Sequence, residues 1–156
     1  MRLKKIIIDA EKCAGCRFCE LVCSFYHEKK FNPQLSRVIV IKDDKYGLDY
    51  PIFCHQCDPC PPISACPFNA LNRIEHGVIY VDKQECTGCS VCVDSCLFNA
   101  VHLDENSKPL ICDLCGGKPI CVDKCPTTAL IFAEGGKDDY PEMVFKKLLN
   151  RWTING

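Results

Sequence analysis

Sixteen of the 156 residues are cysteine, and they fall into four groups of four with none left over. The groups are Cys13, Cys16, Cys19, Cys23; Cys54, Cys57, Cys60, Cys66; Cys86, Cys89, Cys92, Cys96; and Cys112, Cys115, Cys121, Cys125. Thiols at this density can form disulfides, bind zinc or ligate a larger metal centre. Cysteines two residues apart rarely bridge without strain. Structural zinc usually takes paired C-x2-C knuckles, two ligands from each of two segments, whereas each group here offers three close ligands plus one. Ligation of an iron–sulfur cubane fits that grouping better than zinc, and zinc better than disulfides. A disulfide reading stays open only for a hyperthermophile cytosol, which the isoleucine, lysine and proline usage would suit.

The first and third groups both read C-x2-C-x2-C-x3-C, the bacterial ferredoxin spacing for a 4Fe-4S cluster, in which the fourth cysteine ligates the other cluster of a pair. Three cysteines at two-residue intervals wrap a short loop around one side of a cubane. The fourth, a helical turn further on, leads away toward a neighbour. Gly15 and Gly88 precede the second cysteine where the backbone must come close to the inorganic core. Pro67 and Pro126 follow a fourth cysteine where the chain must turn.

The elements that must hold these loops repeat as well. Leu71–Ile74 and Val78–Val81 predict two short strands about a turn at Glu75, His76 and Gly77. They join groups two and three into one ferredoxin-like unit over residues 51–104. Groups one and four each keep half of a second unit: a strand before Cys13 in KKIII, and one after Cys125 around Ala129–Ala133. The expected fold is therefore α+β, two bacterial two-cluster ferredoxin-like units with one inserted in the other, built from short strands, short helices and long loops. The split outer unit takes residues 1–50 plus 105–156. The ferredoxin rule then gives four ligand sets: Cys13, Cys16, Cys19 and Cys125; Cys112, Cys115, Cys121 and Cys23; Cys54, Cys57, Cys60 and Cys96; Cys86, Cys89, Cys92 and Cys66. A strand is expected at Val38–Lys42, a hairpin within 100–112, and a helix in the tail carrying Val144, Phe145, Leu148, Leu149 and Trp152 on one stripe. That stripe covers the protein's own core or docks a larger subunit. Phe18, Phe25, Phe53, Phe68, Phe98 and Phe132 lie beside cysteines or on adjoining strands, where they are expected to exclude water. His55 is expected to be a surface or hydrogen-bonding residue rather than a ligand.

Composition removes other classes. With 19 basic and 20 acidic residues the formal charge is −1, so no basic face points to nucleic acid. No apolar run approaches the roughly 18 residues of a membrane helix. The basic start ends its apolar run at Asp9, too early for a signal peptide, so no membrane insertion and a cytoplasmic location are expected. No nucleotide-binding glycine loop and no nucleophile–base pair is present, and a chain of cluster ligands and short connectors lacks room for a substrate pocket. It is expected to be no enzyme on its own.

At the four quartets the sequence resembles the four-cluster iron–sulfur subunits of multi-subunit oxidoreductases, over residues 1–135. CRFCELVCSFYHEKKFNPQLSRVIV and CDLCGGKPICVDKCPTTAL resemble one branch of that family most. Its members accompany a tungsten-containing aldehyde oxidoreductase or an aromatic acyl-CoA reductase. The resemblance implies a relay of four 4Fe-4S clusters between a partner's tungstopterin and a soluble acceptor such as ferredoxin. Relay subunits of hydrogenase, formate dehydrogenase or molybdopterin reductase complexes are the alternative, and a zinc-stabilised interaction module a third. Two departures stand out: Cys60 comes two residues earlier than its family counterpart, and Leu97 stands where a proline follows the fourth cysteine, which should loosen that turn.

Overall fold

The computed structural model describes residues 4–134 apart from 46, 75 and 76. The helix expected in the tail, and Glu75 and His76 of the expected turn, lie outside the described residues. The described elements are all short. In chain order they are β1 (Lys4–Ile8), α1 (Phe18–Glu28), β2 (Ile39–Asp43), β3 (Leu48–Ile52), α2 (Pro61–Ala65), β4 (Leu71–Arg73), β5 (Ile79–Val81), α3 (Val91–Asp94), β6 (His102–Leu103), β7 (Pro109–Leu110), α4 (Ile120–Asp123) and β8 (Leu130–Glu134). This is the α+β, ferredoxin-like architecture that the spacing predicts.

Every described ladder has two antiparallel strands. β4 pairs with β5 in the register Leu71↔Val81, Arg73↔Ile79, and β6 with β7 through His102↔Leu110. β1 pairs with β8, Ile6↔Phe132 and Ile8↔Leu130, so the strand before the first cysteine group lies against the strand after the last. Asp9 N–H extends the ladder to the Ala129 carbonyl at 2.8 Å. Isoleucine-rich β1 and LIFAE suit a pleated, half-buried surface.

The β2–β3 hairpin is longer than the single strand read from the sequence, and it runs across residue 51. Pro51 hides β3 from a pattern search. It is tolerated because a two-stranded ladder leaves each strand one free edge, where a missing N–H costs nothing. The longest described helix, α1, was legible only as the position of Cys23. It is flanked by left-handed caps, Arg17 (φ 59) and Lys29 (φ 57), and the Lys29 N–H returns to the Phe25 carbonyl at 3.0 Å.

Thiols are part of the core rather than bordering it. Cys23, Cys54, Cys60, Cys92, Cys112 and Cys121 are buried in one cluster with Val38, Phe53, Leu71, Ile79, Ile111 and Leu130. Of the aromatic residues expected to exclude water, Phe53 is fully buried and Phe98 and Phe132 are half-buried against that core. Phe18 and Phe25 differ from the expectation, being at least 40% exposed; Phe68 is as exposed but lines a cleft with four cysteines.

Candidate metal centres

The four cysteine loops share one backbone device. In each, the residue before the second cysteine is left-handed: Gly15 (φ 60), Gln56 (φ 51), Gly88 (φ 77) and Leu114 (φ 52). Two are glycine, which takes that conformation freely; Gln56 and Leu114 adopt it at a steric cost. In three loops the N–H of that residue donates to the first thiol, Gly15 to Cys13, Gln56 to Cys54 and Leu114 to Cys112. Such donation favours the thiolate, the form that ligates metal.

A second device follows the fourth cysteine. Asn69, Asn99 and Thr128, each three residues on, are left-handed at φ 51, 51 and 54. Their N–H groups return to the carbonyls of Cys66, Cys96 and Cys125 at 3.4, 3.3 and 3.2 Å. Leu97 therefore does not loosen its turn: that turn has the conformation of the proline-bearing two. Around Cys66, burial raises the thiol's pKa, but the N–H groups of Phe68, Ala70, Leu71 and Asn69 together outweigh it and hold it below the ordinary value. Cys125 is likewise lowered, against its burial, by the Thr127 hydroxyl and the N–H groups of Thr127, Leu130 and Ala129. Cys23 departs from the repeat because it stands inside α1. Its Sγ accepts instead from the Arg37 N–H at 3.3 Å.

Elsewhere burial dominates. It pushes Cys54 and Cys19 up to about 12 and Cys115 to about 11, and it raises Cys112 and Cys121 as well. As free thiols these groups would stay protonated at neutral pH. Ligation to a cation is what makes so many buried thiolates tolerable.

Thiols far apart in sequence meet. Cys13 has Cys16 and Cys125 as charged neighbours, and Cys19 has Cys13 and Cys16. Cys121 is flanked by Cys23 and Cys115, and Cys112 by Cys121 and Cys23. Cys54, Cys57, Cys60 and Cys96 line one cleft with His55, Ile79 and Phe98. Cys66, Cys86, Cys89 and Cys92 line another beside Phe68 and Leu71. With four thiols each and largely apolar walls, these cradles fit a soft iron–sulfur centre. Two further pairs of electrostatic neighbours link these thiol clusters: Cys121 with Cys19, and Cys112 with Cys54. Of the sixteen cysteines only Cys16 and Cys89 are exposed.

Several supporting residues carry no local sequence signal. Glu20, 2% exposed, accepts from Val40 N–H at 2.7 Å and from Arg17 Nε at 2.6 Å, fastening α1 to β2. Gln56 Nε2 donates to the Cys112 carbonyl at 2.6 Å while its Oε1 accepts from Ile79 N–H at 3.0 Å. His27 bonds Asp113 at 3.0 Å and the Cys23 carbonyl at 2.9 Å, linking α1 to the fourth loop. His55 is buried, its ring 4.5 Å from that of Phe98, not at the surface.

Residues 47–135 match the family model of the 4Fe-4S dicluster domain. The chain belongs to that family. The Pyrococcus furiosus aliphatic sulfonate oxidoreductase, polyferredoxin-like subunit, is 39% identical over 116 residues, covering 73% of this chain and 66% of that protein. Electron transport protein HydN of Escherichia coli (strain K12) is 31% identical over 158 residues, 85% of this chain and 89% of its own. Among solved structures, a chain of the active site complex BamBC of benzoyl coenzyme A reductase superposes with a TM-score of 0.51 at 28% identity, over 99% of this chain and 94% of that one. This member of the dicluster family is an iron–sulfur electron-transfer protein, and its sixteen cysteines match four 4Fe-4S clusters. No helix among its described residues is long and apolar enough to cross a membrane.

Proposed function

We propose that the chain is the non-catalytic relay subunit of an oxidoreductase complex, carrying electrons between a tungstopterin site in a larger aldehyde-oxidoreductase-type subunit and a soluble acceptor such as ferredoxin. Each 4Fe-4S cluster, when bound, takes up and releases one electron. The ligand sets are Cys13, Cys16, Cys19 and Cys125; Cys112, Cys115, Cys121 and Cys23; Cys54, Cys57, Cys60 and Cys96; Cys86, Cys89, Cys92 and Cys66. The first two belong to a split outer unit and the last two to an inserted inner unit.

The order of the relay is the order just given. The neighbouring Cys121 and Cys19 support the first junction and the neighbouring Cys112 and Cys54 the second. The carrying observation is exposure. The two exposed cysteines, Cys16 and Cys89, fall in the first and last sets, so access is expected at the two ends and not in the middle. The polyferredoxin-like sulfonate oxidoreductase subunit and the BamBC chain support a catalytic partner. The resemblance to subunits that accompany tungsten enzymes supports its metal.

Anaerobic co-purification with metal analysis tests the reading. About sixteen iron and sixteen inorganic sulfide per chain, with tungsten in the bound subunit, is the expected result. Molybdenum in place of tungsten would reassign the partner. A folded, colourless, zinc-loaded chain would end the proposal.

A further inference from the structure

Fixed charges of opposite sign lie against the outer and inner cysteine loops. The position a Cβ would take at Gly15, between Cys13 and Cys16, is filled by the Asp49 carboxyl, whose three atoms lie within 2.5 Å of it. Asp49 reaches the loop from β3, at the end of the β2–β3 hairpin, and is 28% exposed. Lys42 pairs with it at 3.3 Å but is itself 46% exposed. In the second loop the sign reverses. The Arg73 guanidinium, from β4, donates to the carbonyls of Gln56, Cys57 and Gly77 and is a charged neighbour of Cys57 and Cys60. In the third loop Lys108 Nζ donates to the Cys86 carbonyl. Glu20, paired with an Arg17 that is itself 47% exposed, adds negative charge beside Cys19 in the first loop. Asp113 is paired with Arg37 at 3.5 Å. Asp58, Glu85 and Asp94 are exposed, where water screens them.

An added electron makes a cluster more negative, so a carboxylate beside it opposes reduction and a guanidinium or ammonium favours it. We infer that Asp49 and the pair Arg73 and Lys108 grade the relay electrostatically, making the site at Cys13, Cys16 and Cys19 harder to reduce than the inner-unit sites. An electron arriving from a reduced donor at the Cys16 end then runs downhill to the inner unit. It leaves to an oxidised acceptor at the Cys89 end, one electron in for each one out. This grading rests on the ligand sets proposed above.

The test is a redox titration of the holoprotein followed by electron paramagnetic resonance, comparing wild type with Asp49→Asn, Arg73→Gln, Arg73→Lys and Lys108→Gln. Asp49→Asn should move one cluster's midpoint up. Arg73→Gln should move a different cluster's midpoint down, and Lys108→Gln likewise. Arg73→Lys, which keeps the charge but loses the fork of donors, should leave its midpoint near wild type. Unchanged midpoints, or shifts of one sign in all variants, with iron content kept, would overturn the grading while leaving the relay intact. If Arg73→Gln loses iron, Asp49→Asn and Lys108→Gln decide by their opposite signs. Wild type with fewer than four clusters overturns the relay first, and the grading with it.

Discussion

Gln56 does three things from one position: it takes the left-handed turn of its loop, caps Ile79 and holds the Cys112 carbonyl. Because it is 3% exposed, shortening it leaves a buried donor and a buried acceptor bare. Gln56→Ala should therefore destabilise the holoprotein by about 1–3 kcal/mol for each orphaned group, read from the thermal melt. Cys125→Ala should disturb the cluster of Cys13, Cys16 and Cys19 and spare that of Cys112, Cys115 and Cys121. Spectra in which only the latter vanished would reverse the ligand exchange. At this scale the sequence discloses chemistry and hides support. Sixteen cysteines advertise themselves by type and spacing, whereas Gln56, Glu20 and Arg73 matter chiefly through partners 16 or more residues away, backbone atoms with no identity to read. The left-handed position before the second cysteine was signalled by Gly15 and Gly88, but Gln56 and Leu114 conceal the same turn.

Among the elements, strands stood out where β-branched residues run together, as in β1, β2 and β8. They were missed in β3, where Pro51 breaks the pattern. α1 was obscured because its cysteines and aromatics serve a metal loop and a surface as well as a core face. The turn after Cys66, Cys96 and Cys125 is the most transferable element. The turn holding Leu97 closes as those holding Pro67 and Pro126 do, with Asn99 left-handed like Asn69 and Thr128. Leu97→Pro should thus be accepted and add about 0.4–1 kcal/mol by restricting the unfolded chain, visible as a small rise in melting temperature. A fall in melting temperature, or loss of the Cys96 cluster, would mean that the Leu97 N–H or side chain matters in a way the turn does not require.

At the scale of the molecule, the two-stranded ladders and the helices of four, five and eleven residues among the described residues bury too little apolar surface to offset chain entropy. Thiolates in the core make the metal part of the fold. Chelation of iron should collapse the circular dichroism of the chain, and a native spectrum after chelation would contradict this. Any ordered iron-free population should also shrink with rising pH. Burial lifts the folded-state pKa of Cys54 and Cys19 from 9.0 to about 12, so the folded state holds those protons more tightly. That contribution is complete below pH 9 and is lost as pH climbs toward 12. Sixteen thiolates and four oxidised cores of +2 would bring the sites to about −8, a burden that the backbone donors and cations around them offset only locally. The pairing of β1 with β8 sets a timetable for synthesis. A nascent chain leaving the ribosome offers Cys13, Cys16 and Cys19 first, yet their strand finds its mate only when residues 130–134 emerge. The inner cradles can be filled while translation continues. The earliest thiols to appear are then the last to be sealed, and the cell must shield them from oxygen and stray metal in the interval.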